Sequence, residues 1–239
     1  MPAIPAMPGI PATEHVDILV VGNGMVGHRF VEAAIERGLL ATRRMLVVGE
    51  ERRRAYDRVH LSSVFDGVDE RDLQLGDDDV YARDGVELLL ADPVVSIDPN
   101  DRVAHTEKGR AISFTDCVLA TGSAPFVPPI PGTAAAGSFV YRTLDDLTAI
   151  RDWAKGCRTG AVVGGGLLGL EAANALRLLG LETTVVEFAP RLMAVQLDDG
   201  GAAMLRRHVE ALGLHVRTSA AATEVLTTCL LYTSDAADE

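Results

Sequence analysis

An α/β fold assembled from two copies of one strand–turn–helix–strand unit is predicted by three features of the 239-residue sequence. Residues 17–33 read DILVVGNGMVGHRFVEA, an apolar strand running into a glycine turn and then a helix. Residues 160–174, GAVVGGGLLGLEAAN, repeat that design. Between them, FVPPIPG (126–132) sets three prolines where neither a helix nor a central strand can form, which marks a stiff connector. The prediction is therefore two Rossmann-like dinucleotide-binding units, one on each side of a linker.

Each element follows in order. The first fifteen residues, MPAIPAMPGIPATEH, are rich in Pro and Ala and lack Lys and Arg, so a loose tail is expected rather than a signal peptide, with Met7 as an alternative start. DILVVG (17–22) and MLVVGE (45–50) are apolar runs of buried-strand type. Between them, Phe30, Val31, Ala34 and Ile35 share one helical face, and the helix stops at Gly38. A βαβ unit of this kind implies a parallel sheet. The acidic stretch 69–85 is expected to be helical in part. VELLL (86–90) reads as a strand, VVSIDPNDRVAHT as a hairpin turning at Asp98-Pro-Asn-Asp101, and AISFTDCVLATG (111–122) as a strand returning to a glycine turn. After the connector come strand 160–164, helix 168–179, strand 182–188, a helix over 199–212 and strand 214–218. The domains expected are a tail at 1–15, a first domain at 16–125, a linker at 126–145, a second domain at 146–228 and a tail at 229–239.

Composition excludes several function classes. A net charge of −12 argues against broad binding to nucleic acid or anionic membranes. The apolar runs are strand-sized, too short to span a bilayer. Cys117, Cys157 and Cys229 are too few and too scattered for a disulfide framework or a zinc site, and a cytoplasmic protein is expected.

The glycines carry the chemistry. Gly22, Gly24 and Gly27 have the spacing GxGxxG, with Met25 opening the helix; Gly164, Gly166 and Gly169 repeat it, with Leu167 in the place of Met25 and Gly165 extra. The first glycine permits the tight turn, the second lets the backbone approach a pyrophosphate, and the third lets helix and strand pack closely. The helix start offers free N–H groups and a positive dipole end to the phosphates. Each unit then leads to a strand ending in an acid, Glu50 or Glu187, placed to accept hydrogen bonds from ribose hydroxyls. A carboxylate at Glu187 would repel a 2′-phosphate, so NADH is expected over NADPH.

The paired fingerprints, with LATGSAPFVPPIPG between them, resemble the two-dinucleotide-binding flavoprotein family that includes ferredoxin and rubredoxin reductases. The resemblance implies a glutathione-reductase-like pair of domains, with FAD at the first site, a nicotinamide nucleotide at the second, and Thr121 and Gly122 marking the crossing between them. Glu171 matches a family glutamate near the nicotinamide–flavin contact; from the residues alone it reads equally as an acid complementing the helix dipole. EERRRAYDRVHLSSVF (50–65), YRTLDDLTAI (141–150) and VVEFAPRLMAVQLD (185–198) are similar to the large-subunit family of NAD(P)H-dependent assimilatory nitrite reductases. Ferredoxin-reducing relatives have a lysine where Ser63 stands. This likeness implies that Arg58 faces FAD; Arg52, Arg53 and Arg54 read as a solvated basic loop, and His60 as structural rather than catalytic.

That family is several times longer, and its iron–sulfur and sirohaem centres, with clustered cysteine ligands, are expected only outside this stretch. A C-terminally truncated fragment is thus expected, with both domains incomplete, a sheet edge exposed in the second, and no capacity to reduce nitrite alone. CLLYTSDAADE (229–239) continues no pattern of the domain and resembles translated sequencing-adapter read-through. The leading function is an NADH-dependent FAD module passing electrons toward such centres, with a small subunit or acceptor domain as partner. A stand-alone NADH-dependent rubredoxin or ferredoxin reductase, and a non-catalytic nucleotide-binding module, stay open beside it.

Overall fold

The computed structural model describes residues 14–227. The 229–239 tail and most of the expected N-terminal tail lie outside the described residues. Glu14 and His15 do not belong to that tail: they begin the first strand, β1 (Glu14–Val21), opposite Ile112 and Ser113.

The chain divides into two units. The first comprises residues up to His60 together with Asp69–Ala124; the second takes Leu61–Val68 and the chain from Pro125 onward. The excursion of 61–68 into the second unit has no signal in hydrophobic periodicity.

In the first unit β1 leads to helix α1 (Met25–Glu36) and strand β2 (Met45–Val48). β3 (Val86–Leu89) follows, then β4 (Val94–Asp98), β5 (Val103–Thr106) and β6 (Ala111–Leu119), giving one sheet of order β3-β2-β1-β6-β5-β4. β1 pairs in parallel with β2 and β6, while β4 and β5 form the antiparallel hairpin. The runs ILVV and MLVV are apolar throughout because both faces of the sheet are covered. Leu19, Val21, Leu46, Val48, Ile112 and Phe114 pack on one face. Ile18, Val20, Met45 and Val47 meet Val31 and Ala34 of α1 on the other. The acidic stretch 69–85 contains only short 3-10 turns, at Glu70–Leu73 and Asp78–Val80, not an α-helix. Its Asp, Gly and Tyr content supplies turns and too few apolar positions at helical spacing.

Asp92 joins the end of β3 to the hairpin. It is fully buried, accepts the Lys108 backbone N–H at 2.9 Å and lies 3.3 Å from the Arg110 guanidinium. Asp92→Ala removes the buried acceptor of that N–H and the carboxylate facing Arg110, so it should destabilise the first unit by about 1–2 kcal/mol. Thermal unfolding of the variant checks this, and an unchanged midpoint would show that water replaces the carboxylate.

The second unit begins with helix α2 (Leu144–Ala154), which falls partly inside the expected linker 126–145. Its start was legible: Thr143 accepts the Asp146 N–H while the Asp146 carboxylate accepts the Thr143 N–H, a reciprocal capping box. Then come β7 (Thr159–Val163), α3 (Leu167–Leu178), β8 (Glu182–Val186), α4 (Asp199–Ala211) and β9 (His215–Arg217), within a residue or two of expectation. The three strands form a parallel sheet of order β7-β8-β9. Val185, Leu192, Val209, Leu214 and Val216 close its core against Ala173 of α3. Among the described residues β7 has a strand partner on one side only, and Val163 at its end is 55% exposed. The chain beyond β9 returns to the connector, where the Val225 N–H donates to the Pro131 carbonyl at 2.8 Å. No described helix is long and apolar enough to cross a membrane.

Candidate functional site

Each unit has one glycine turn at the C-terminal end of its first strand, and the three glycines in each differ in what surrounds them. Gly22 and Gly164 hold φ of +112° and +117°, a conformation that only glycine adopts without strain. A Cβ on Gly27 would lie 2.0 Å from the Gly22 carbonyl oxygen, and one on Gly169 would lie 2.0 Å from that of Gly164. The third glycine of each turn therefore seats its helix on its strand. Gly24 and Gly166 are different: a Cβ there would meet nothing within 4 Å. The backbone at these two positions fronts open space.

Gly24 and Gly166 are also the N-cap residues of α1 and α3, and neither helix has a capping side chain or an acid in its first turn. The first N–H groups of both helices are left for a ligand, with exposed Met25 and Leu167 beside them. The chemistry of two such cradles fits two dinucleotide pyrophosphates. In the first unit the turn 120–122 packs on the same loop, because a Cβ on Gly22 would strike the Ala120 carbonyl at 2.2 Å. Thr121 and Gly122, the latter at φ +69°, are exposed there.

The two strand-end acids differ. Glu50 is exposed and makes no hydrogen bond among the described residues. Its neighbour Glu51 accepts the Tyr56 hydroxyl at 2.8 Å and pairs with Arg58, whose guanidinium stands 5.0 Å from the Tyr56 ring. Arg58 is thus held by Glu51 and Tyr56 at this loop. The basic run is not simply solvated: Arg53 pairs with Glu70 at 2.7 Å and Arg54 lies over Tyr81. His60 is exposed and bonds Asp57 at 2.7 Å, which holds the Asp57 carboxyl below the usual carboxylate range.

Glu187 is half buried at the head of the second turn. One carboxylate oxygen accepts the Gly165 N–H and the other accepts the Ala189 N–H at 2.6 Å. This explains the extra glycine: a Cβ at Gly165 would lie 2.6 Å from Leu192 and 3.0 Å from the Glu187 side chain. Arg191, a cation close in sequence, is committed to its own loop through the carbonyls of Ala194 and Leu197 and the Asp199 carboxylate.

Glu171 is the fifth residue of α3, beyond the first turn, so the dipole reading does not account for it. Its carboxylate accepts the Ser62 hydroxyl at 2.9 Å, and Ser62 Oγ accepts the Tyr141 hydroxyl at 2.9 Å. Burial pushes the Tyr141 phenol up, and Phe65 stacks beside its ring. Sequence reasoning named Glu171 but not Ser62 or Tyr141, since the three stand far apart along the chain. Among the described residues no three His, Cys, Asp or Glu side chains are grouped to hold a metal ion.

Comparison with known proteins agrees with this architecture. The large subunit of nitrite reductase [NAD(P)H] from Klebsiella oxytoca is 54% identical over 209 residues, which is 87% of this chain and 22% of that protein. The Escherichia coli nitrite reductase (NADH) large subunit is 46% identical over 211 residues, 88% of this chain and 25% of that one. The chain therefore spans a quarter or less of the length of these relatives. A ferredoxin reductase structure from Rhodopseudomonas palustris superposes with a TM-score of 0.79 at 27% identity, covering 89% of this chain and 52% of that one. Residues 16–229 match the model of a family of oxidoreductases that bind FAD and NAD(P)H, and with this match over most of its length the chain belongs to the pyridine nucleotide-disulphide oxidoreductase family.

Proposed function

We propose that this chain is the NADH-oxidising part of an assimilatory nitrite reductase, taking a hydride from NADH onto FAD and passing electrons toward iron–sulfur and sirohaem centres carried elsewhere in the longer protein. The observation that carries this reading is the 54% identity to a nitrite reductase large subunit, twice the identity to the ferredoxin reductase of the same fold. Ser63, standing where ferredoxin-reducing relatives have lysine, supports the same choice. The partner is then an acceptor domain or a small subunit, and an NADH supply suits a cytoplasmic protein.

Gly22, Gly24, Met25 and Gly27, with Thr121, Gly122, Glu50 and Arg58, would hold FAD; Gly164, Gly166, Leu167, Gly169 and Glu187 would hold NADH. When bound, FAD supplies a two-electron acceptor that can release electrons singly. The protein's share is alignment more than proton transfer. The N–H groups opening α1 and α3 bind the pyrophosphates, Glu187 takes the adenosine ribose, and Ser62 with Tyr141 fixes the carboxylate of Glu171, the candidate catalytic residue, which belongs to α3 itself.

The test is anaerobic addition of NADH to the chain loaded with FAD. Bleaching of the flavin absorbance, with no ammonia formed from nitrite, is expected. Flavin that stays oxidised under NADH would favour a non-catalytic nucleotide-binding module. Rapid turnover with added ferredoxin or rubredoxin would instead favour the stand-alone reductase.

A further inference from the structure

Behind the first glycine turn lies a part-buried polar network of His28, Tyr81 and Asn23, with His28 Nε2 buried and without a hydrogen-bond partner. His28, in α1, is 3% exposed, and its Nδ1 lies 2.9 Å from the Tyr81 hydroxyl. That hydroxyl donates its one proton to Asn23 Oδ1 at 2.6 Å. His28 Nδ1 is the second polar group within hydrogen-bond reach of that hydroxyl. Asn23 is the residue between Gly22 and Gly24, and its Nδ2 is buried with no hydrogen-bond partner.

The surroundings lock this arrangement. The His28 and Tyr81 rings are 5.7 Å apart, and Arg54 lies over the tyrosine from the other side. Gly76, at φ +66°, leaves no room for a side chain, since a Cβ would come within 2.6 Å of His28 Nε2. Glu32 stands 3.4 Å from the same nitrogen. Burial pushes the Tyr81 phenol up to about 12, so its proton is present throughout the working pH range.

A buried amide with one end unsatisfied costs stability, and such a group beside a ligand loop calls for a reason. An Asn side chain drawn inward cannot project over the turn, which leaves the open face of Gly24 to a ligand. We infer that Tyr81, oriented by His28, is a positioning residue of the first nucleotide site, holding Asn23 inward so that the Gly22–Gly24 backbone keeps the shape that receives a dinucleotide pyrophosphate. The inference rests on the reading of this loop as the FAD site.

The experiment is FAD titration of the full chain as wild type, Tyr81→Phe, Asn23→Ala and the double variant, read by quenching of flavin fluorescence. Tyr81→Phe removes one hydroxyl and keeps the ring, so its thermal midpoint serves as the check of folding; Asn23→Ser replaces Asn23→Ala in the cycle if the latter fails to fold. Tyr81→Phe should raise the FAD Kd by about tenfold, the equivalent of one buried hydrogen bond. Because Tyr81 acts through Asn23, the double variant should lose no more affinity than the weaker-binding single one. An unchanged Kd in Tyr81→Phe, or losses that multiply in the double variant as a general packing role requires, overturns the inference alone. A wild-type chain that takes up no FAD overturns the flavin reading and the inference with it.

Discussion

Gly27→Ala should unsettle the first unit, whereas Gly24→Ala, three residues earlier, should leave the fold intact and empty its nucleotide site. The difference lies in what a single methyl group meets. At Gly27 it would sit 2.0 Å from the Gly22 carbonyl oxygen, a backbone atom that cannot rotate away. Relief requires α1 to lift off β1, which parts Val31 and Ala34 from Ile18 and Val20. Overpacking of this severity costs about 3 kcal/mol. At Gly24 the methyl enters open space, and the backbone (φ −94°, ψ −167°) is one that alanine adopts readily. Its stability change should stay within about 1 kcal/mol, because nothing but a ligand is displaced. The same pairing holds in the second unit, where Gly169→Ala strikes the Gly164 carbonyl and Gly166→Ala strikes nothing. Thermal melts combined with FAD and NADH titrations separate the cases. Gly24→Ala and Gly166→Ala should keep their midpoints and each weaken one nucleotide at least tenfold, the loss of about one close phosphate contact. Normal FAD affinity in Gly24→Ala would mean that the pyrophosphate does not cross that face of the turn.

Legibility in the sequence followed how local the determining physics is. The glycine turns were readable because strand, turn and helix lie within one short run, and an apolar run such as ILVV admits few alternatives once flanked by Gly. Helix α2 was missed although Thr143 and Asp146 announce it, because the prolines of 126–132 drew the boundary too far along the chain. The acidic stretch 69–85 is helical in part as expected, but only as two short 3-10 helices, since its Asp-rich composition favours turns over a longer α-helix. Non-local pairings left no trace. Ser62 meets Glu171 and Tyr141 only through the fold, and Tyr81 meets Asn23 and His28 across more than fifty residues. Gly165 was visible as an oddity, and only the position of Glu187 and Leu192 beside it explains why it must be glycine.

Glu187→Ala should collapse the discrimination between NADH and NADPH by about a hundredfold. Two effects act in the same direction. The carboxylate can accept from ribose hydroxyls, and a charged hydrogen bond of that kind is worth about 1.5–3 kcal/mol, so NADH loses roughly tenfold or more without it. The same charge repels a 2′-phosphate, so its removal helps NADPH. Arg191 does not offset that repulsion in the wild type, since its guanidinium is already shared among Ala194, Leu197 and Asp199. The variant also loses the acceptors for the N–H groups of Gly165 and Ala189, so part of the NADH loss comes from a looser turn. That part weakens both nucleotides equally and cancels in their ratio. The kcat/KM ratio for flavin reduction by NADH over NADPH is therefore the quantity to measure, not either value alone. If the ratio stays at its wild-type value while both rates fall together, Glu187 braces the turn and something else selects the nucleotide.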